Sequence, residues 1–295
     1  MVKKVLGDRR AIATLLLPAM AIYVLAKLVP IAWSFGLSLF SGNPLRGFKF
    51  VGVQNFVKFA SDPAALKATQ VTLTYAFVVT IGQVVLGYLL ALLYLFVLKN
   101  ASSTIRAIVF FPTVLPTVSV ALLFRGFFAI GDNQGPANSL LNAMGQPSLE
   151  FLGSGMGTFF VAVMMELWRS MGFYAILLYA GLVDISNETL ESARMDGASG
   201  FRLVRHIVVP LSLPILLSSV IFSLNATLKV FDGLLALNNG GPGTETTPLT
   251  LFMYLTSFQY AEYGYGSTIA IALTLLCLVF TLVIFRSSRR DITQN

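Results

Sequence analysis

The sequence predicts an all-α, polytopic integral membrane protein with six transmembrane helices. Composition points there first: of 295 residues 56% are hydrophobic and only 11% charged, with a mean hydropathy of +0.79, whereas a soluble domain carries about a quarter charged residues. Apolar runs long enough to cross a bilayer, which takes about 20 residues, occur at 11–39, 70–97, 105–128, 157–182, 211–236 and 267–285. The third observation is where the cations fall.

The first run is too long for a signal-peptide core and lacks a small-residue cleavage site, so it is kept as a span. Lys3, Lys4, Arg9 and Arg10 precede it; Lys99 and Arg106 join the second and third runs; Arg194, Arg202 and Arg205 join the fourth and fifth; Arg286, Arg289 and Arg290 follow the sixth. The opposite side holds Arg46, Lys49, Lys58 and Lys67 in its first loop and none in 129–156 or 237–266. The positive-inside rule therefore puts both termini and the Glu191 loop in the cytoplasm. The net charge of +7 reports topology, and no nucleic-acid partner is needed to explain it.

The outer loops differ in character. Residues 41–68 hold several Gly and Pro around Phe48, Phe50, Phe56 and Phe59, as in a folded amphipathic segment at the membrane surface. Residues 131–155 are rich in Gly, Asn and Pro with an apolar patch at Leu140 and Leu141, and 237–266 carry Tyr254, Phe258, Tyr260, Tyr263 and Tyr265, an interfacial aromatic belt.

The longest stretch of non-apolar character between two spans is Glu191 to Leu213. It reads as a short helix, 190–195, a break at Gly197 and Gly200, and a second helix, 201–208, ended by Pro210. Small residues (Ser192, Ala193, Ala198, Ser199) stand among Glu191, Arg194, Asp196, Arg202 and Arg205, so another surface can approach the backbone. On charge alone it is a solvated loop. Its pattern, however, resembles the EAA loop of ABC importer permeases: Glu191-Ser192-Ala193, then Asp196-Gly197-Ala198, then Ile207 and Pro210. Ser192 replaces the family's first Ala, and Val209 its Leu.

The resemblance extends along most of the chain. LLLPAMAIYVLAKLVPIAWSFGLSLF in the first run, VGVQNFVKF at 51, IVFFPTVLPTVSVALLFRGFF at 108 and LKVFDGLLALNNGGPGTETTPL at 228 look like the carbohydrate-uptake permeases. That resemblance implies one transmembrane permease domain over 1–295 with a cytoplasmic coupling loop at 190–209. It implies a second permease subunit, as a heterodimer, two ATPase subunits that bind ATP and Mg, and an extracytoplasmic solute-binding protein. Glu191 would anchor the coupling helix, Gly197 would give the bend, and Pro210 would lock the start of the fifth span.

Six charges fall within or near spans: Lys27, Arg125, Glu166, Arg169, Lys229 and Asp232. Each costs at least about 2.5 kcal/mol at the bilayer centre, so each needs a partner or a wet path. Glu166, Arg169 and Ser170 share one helical face, either as an internal ion pair that fixes a helix or as a polar stripe along the path. Tyr174, one turn on, falls where the resembling maltose permeases have an aromatic that touches substrate. Asn225, Lys229 and Asp232 recur at i, i+4 and i+7, one continuous helical face. With Tyr174 and Phe231 that face has the inventory for a sugar, although Lys229 and Asp232 could also satisfy each other. Thr227 lies off it, near a position where the maltose permeases use an Asn.

No bond-making chemistry is expected of this chain. Its single His, His206, stands in the charged loop; its single Cys, Cys277, in an apolar run; and Gly240-Gly241-Pro242-Gly243 lacks the Lys of a phosphate loop. No metal site and no cofactor are expected, and energy must come from a partner. The reading is a permease subunit for a sugar or oligosaccharide. Two alternatives remain open: the same architecture importing a phosphorylated polyol or an acidic sugar, and an ion-coupled secondary transporter.

Overall fold

The computed structural model describes residues 9–98, 102–131 and 134–292. Lys3, Lys4 and Lys99 of the topology argument lie outside the described residues, as do the side chains of Arg9, Arg10, Arg289 and Arg290. The fold is almost wholly helical. Four helices are long and apolar enough to cross a membrane: α1 (Ile12–Leu37), α3 (Pro63–Leu98), α7 (Gly155–Val183) and α13 (Tyr263–Ile292, apolar to Arg286). Two bent pairs would bring the number to six. These are α4 (Ser102–Val114) with α5 (Thr117–Phe127), bent by 94°, and α9 (Gly200–Leu211) with α10 (Leu213–Thr227), bent by 69°.

The bends correct two sequence-based expectations. The run 105–128 does not form one straight span, because Pro116 caps α5 in an extended conformation (ψ 131°) and a proline pushes the residue before it out of the helical region. The run 211–236 is shorter than expected: α10 stops at Thr227, residues 228–231 are not helical, and α11 (Asp232–Asn238) follows as a separate helix. Pro210, in turn, does not end its helix. The preceding turn, Val204–Val208, opens to an i→i+5 pattern, and the helix runs on to Leu211. The same widening at Val24–Leu28 precedes Pro30. In both places the looser turn absorbs the missing N–H and the ring clash that a proline brings.

The contacts group into two compact units, 1–65 with 253–274 and 66–252 with 275–295. In the first, no residue of α1 is buried within the chain. After it come a hairpin and a helix where a surface amphipathic segment was expected: β1 (Phe40–Asn43) pairs antiparallel with β2 (Gly47–Phe50), and α2 spans Gln54–Ser61. The buried Asn55 amide donates to Ser38 O and Phe40 O, each at 2.8 Å, and pins α2 beneath the hairpin. Tyr265, in the first turn of α13, donates to Asp62 Oδ2 at 2.6 Å, and Lys58 pairs with Glu262 at 2.7 Å.

In the second unit α3, α4, α5, α7, α10 and α11 pack together. One core joins Tyr75, Val79, Phe124, Val161, Met165 and Leu237; a second joins Ala91, Tyr174, Leu178 and Leu182 to Leu190, Ala193, Leu203 and Val208. Helix approach is very close at Gly172 of α7, where an added Cβ would lie 2.2 Å from Val109 O and 2.7 Å from Phe110 Cα on α4. Small residues at such crossings let backbones meet where lipid supplies no hydrophobic drive. Because the obstacle is backbone, no rotamer change relieves it. Gly172→Leu is therefore expected to prevent α4 from seating on α7, and Gly172→Ala to cost about 1–3 kcal/mol by overpacking. Thermal unfolding of the detergent-solubilised protein reads both, and an unchanged midpoint for Gly172→Leu refutes this packing.

Candidate functional site

Glu166, Arg169, Lys229 and Asp232 do meet, but in a different arrangement from the one expected. Arg169 donates Nη2 to Glu166 Oε1 at 2.6 Å and Nε to Oε2 at 3.1 Å, a bidentate pair one turn long on α7. Gln83 of α3 donates to Ser170 Oγ at 2.7 Å and lies 3.4 Å from Glu166 Oε1. Its other amide atom accepts from Ser223 Oγ of α10 at 2.5 Å. Ser223 also lies 2.9 Å from Thr80 Oγ1, itself 3.3 Å from Thr227 Oγ1. Three helices are thus stitched by one buried network. Gln83 and Thr80, its central members, were missed in the sequence because neither carries a charge.

Ser170 and Thr227 are spent in this network, 5% and 3% exposed. Tyr174 is equally buried: its ring meets Phe173 edge to face, and its backbone and Cβ lie where a side chain at Gly87 would be. Within this chain it lies in the buried core. Asn225 turns away as well, donating to Ile221 O at 3.0 Å and to Thr281 Oγ1 of α13 at 3.1 Å. The helical face Asn225–Lys229–Asp232 does not exist, because α10 ends between the first and the second of these residues.

What replaces that face is a cavity of about 160 Å³, lined by Tyr75, Thr117, Glu166, Arg169, Lys229 and Asp232 among others. The break after Thr227 lets the chain turn so that Lys229 and Asp232 both reach it. They do not satisfy each other, since the ion pairs among the described residues are Lys58–Glu262 and Glu166–Arg169. Tyr75 was not anticipated. Its hydroxyl is buried without a hydrogen-bond partner, a deficit that costs about 1–3 kcal/mol unless a solute or water meets it. The cavity is smaller than the roughly 300–1,000 Å³ of ordinary ligand pockets. Among the described residues no His, Cys, Asp or Glu cluster could hold a metal.

The loop that resembles a docking element is helical where expected. α8 (Asn187–Met195) is capped by Ser186, whose Oγ accepts from Thr189 N at 3.3 Å. It ends in a Schellman turn: Ala198 N donates to Ala193 O at 2.9 Å and Gly197 N to Arg194 O at 3.0 Å. Gly197 (φ +85°) and Gly200 (φ +51°) adopt the left-handed conformation that such a reversal requires. Leu190 and Ala193 anchor the helix in the core, with Ile207 packed beside them. Glu191 does not anchor it within the chain. It is exposed, as are Ser192, Asp196 and Pro210, and its carboxylate makes no hydrogen bond or ion pair among the described residues. Beside these polar groups stand Met195, 88% exposed, and Phe201, 75% exposed. Neither stood out in the sequence, and both give this surface an apolar component.

Comparison with known proteins agrees with this architecture. The chain is 31% identical over 276 residues to the trehalose/maltose transport system permease protein MalF of Thermococcus litoralis, covering 93% of this chain and 92% of that one. It is 30% identical over 294 residues to the sulfoquinovosyl glycerol transport system permease protein SmoG of Agrobacterium fabrum, covering 96% and 92%. Its fold matches that in the crystal structure of a bacterial ABC transporter involved in the import of the acidic polysaccharide alginate, with a TM-score of 0.83, 24% sequence identity and 95% of each chain covered. Residues 63–290 match the family of binding-protein-dependent transport system inner membrane components, and the chain belongs to that family.

Proposed function

We propose that this protein is the membrane-spanning permease subunit of an ATP-driven importer for a neutral sugar or oligosaccharide, working by alternating access. The observation that carries the proposal is the core shared by α8 and the spans. Leu190 and Ala193 pack with Tyr174, Leu178 and Leu182 of α7, and α7 also carries Glu166 and Arg169 at the polar cavity. A displacement of α8 by a docked partner is therefore transmitted along a rigid helix to that cavity. The partner is an ATPase subunit; it supplies the bound ATP and Mg, and this chain has no hydrolytic machinery of its own. Glu191, Ser192, Asp196, Met195 and Phe201 form the surface it meets, with Gly197 and Ala198 making the reversal that presents it. A second permease completes the path, and a solute-binding protein delivers the sugar on the side opposite α8.

The substrate class follows from charge. Glu166 and Asp232 balance Arg169 and Lys229 around the cavity, an arrangement suited to hydroxyl groups that both donate and accept. A cationic excess, which would favour a phosphorylated or acidic solute, is absent from this lining. The ion-coupled alternative leaves the exposed surface of α8 without a role.

Two outcomes test this reading. In the reconstituted complex, Gly197→Asp, which strains a left-handed turn by about 1–2 kcal/mol, is expected to assemble normally yet lose most ATP hydrolysis stimulated by the solute-binding protein; stimulation at the wild-type level would falsify the coupling role. Lys229→Met is expected to slow uptake of maltose or trehalose in proteoliposomes while basal hydrolysis persists, and Asp232→Asn to do the same. Unchanged uptake in both variants removes these residues from the path, and uptake that continues without ATP but stops when the proton gradient collapses replaces the mechanism altogether.

A further inference from the structure

A second cavity, of about 390 Å³, lies between the first turns of α3, the first turns of α7 and the loop before α12 (Leu249–Tyr254). It falls within the volume range of ordinary ligand pockets. Lys67, Gln70 and Thr74 line it from one face of α3, at i, i+3 and i+7; Met156 and Phe159 come from α7, and Glu245 from the loop. Gly155 makes the acidic wall possible, because a Cβ there would sit 1.9 Å from Glu245 Oε2.

Four solvent-exposed polar side chains border this open space. Lys67, Gln70, Thr74 and Glu245 make no side-chain hydrogen bond or ion pair with the described residues. Thr72, two residues before Thr74, shows the usual fate of a helical hydroxyl, donating to Ala68 O at 2.8 Å. Phe159 contributes an apolar ring surface. The same ring meets Tyr75 edge to face, with centroids 6.2 Å apart, and Tyr75 lines the smaller cavity deeper in the unit. The two spaces thus share the wall formed by this aromatic pair.

We infer that the outer cavity is a loading subsite for one neutral saccharide unit, held there before it passes Phe159 and Tyr75; the inference rests on the importer reading. An amide, a hydroxyl, an ammonium and a carboxylate together match hydroxyls that donate and accept, and a ring with a thioether matches the C–H faces of a pyranose. The charges of Lys67 and Glu245 cancel, and the carboxylate disfavours an anionic sugar.

The test uses the full transporter in nanodiscs, with Thr74→Cys in a Cys277→Ser background and a charged, membrane-impermeant thiol reagent. Labelling is followed on the peptide that contains position 74. Maltose or trehalose is expected to slow labelling about threefold once the probe reaches about twice its Kd, galacturonate is expected not to, and adding Glu245→Gln is expected to remove the protection. The inference is overturned if neither neutral probe protects although the wild-type complex in proteoliposomes accumulates one of them, if galacturonate protects equally, or if the solute-binding protein protects without sugar. A wild-type complex that imports no saccharide overturns the importer reading itself, which separates the two failures.

Discussion

The structure of the larger unit depends on one electrostatic constraint: an ion pair held among apolar helices has to be satisfied completely. Glu166 and Arg169 neutralise each other along one turn of α7, but two hydrogen bonds leave lone pairs and N–H groups over. Gln83 takes up part of that remainder at Glu166 Oε1 and is itself held by Ser170 Oγ. Removing one member of such a pair costs about 3–5 kcal/mol because the survivor is stranded. The pair therefore dictates where α3 must lie relative to α7, and Ser223 extends the demand to α10. A polar network fixes a register that interchangeable Leu and Val contacts would leave free.

That register has a mechanical consequence. α3, α7 and α10 are joined at mid-length by hydrogen bonds, α7 meets α4 nearly backbone to backbone at Gly172, and α8 is clamped to the end of α7 by Leu190 and Ala193. Joints of this kind resist bending and transmit displacement. The helices are interrupted at two places, where residues 228–231 leave the helix and where Ser212 separates α9 from α10. The second of these is restrained, since Tyr88 reaches the buried Ser212 hydroxyl at 2.8 Å. Lys229 lies in the unwound segment and Asp232 directly follows it, so this break supplies two of the charges that line the cavity.

The amino-acid sequence by itself determined the class, the apolar runs and the helical loop between α7 and α10. Hydropathy is additive and local, so spans such as α1 and α7 are legible from composition alone. The reversal at Gly197 is legible because few residues other than Gly adopt φ +85° without strain. The Glu166–Arg169 pair is legible because three residues on a helix are neighbours.

Tertiary structure alone decided the rest. Periodicity assumes a continuous helix, and it failed where α10 ended at Thr227, which separated Asn225 from Lys229 and sent the Asn to Thr281. Pro210 was read as a terminator because the cost of a proline is ordinarily local, yet the widened turn at Val204–Val208 absorbed it. Tyr174 passed for a site residue by position, and packing buried it. Tyr75, Gln83 and Glu245 carried no signal of their own, since a lone aromatic, amide or carboxylate acquires a role only through neighbours that lie tens of residues away in the chain and are brought near by the packing of helices.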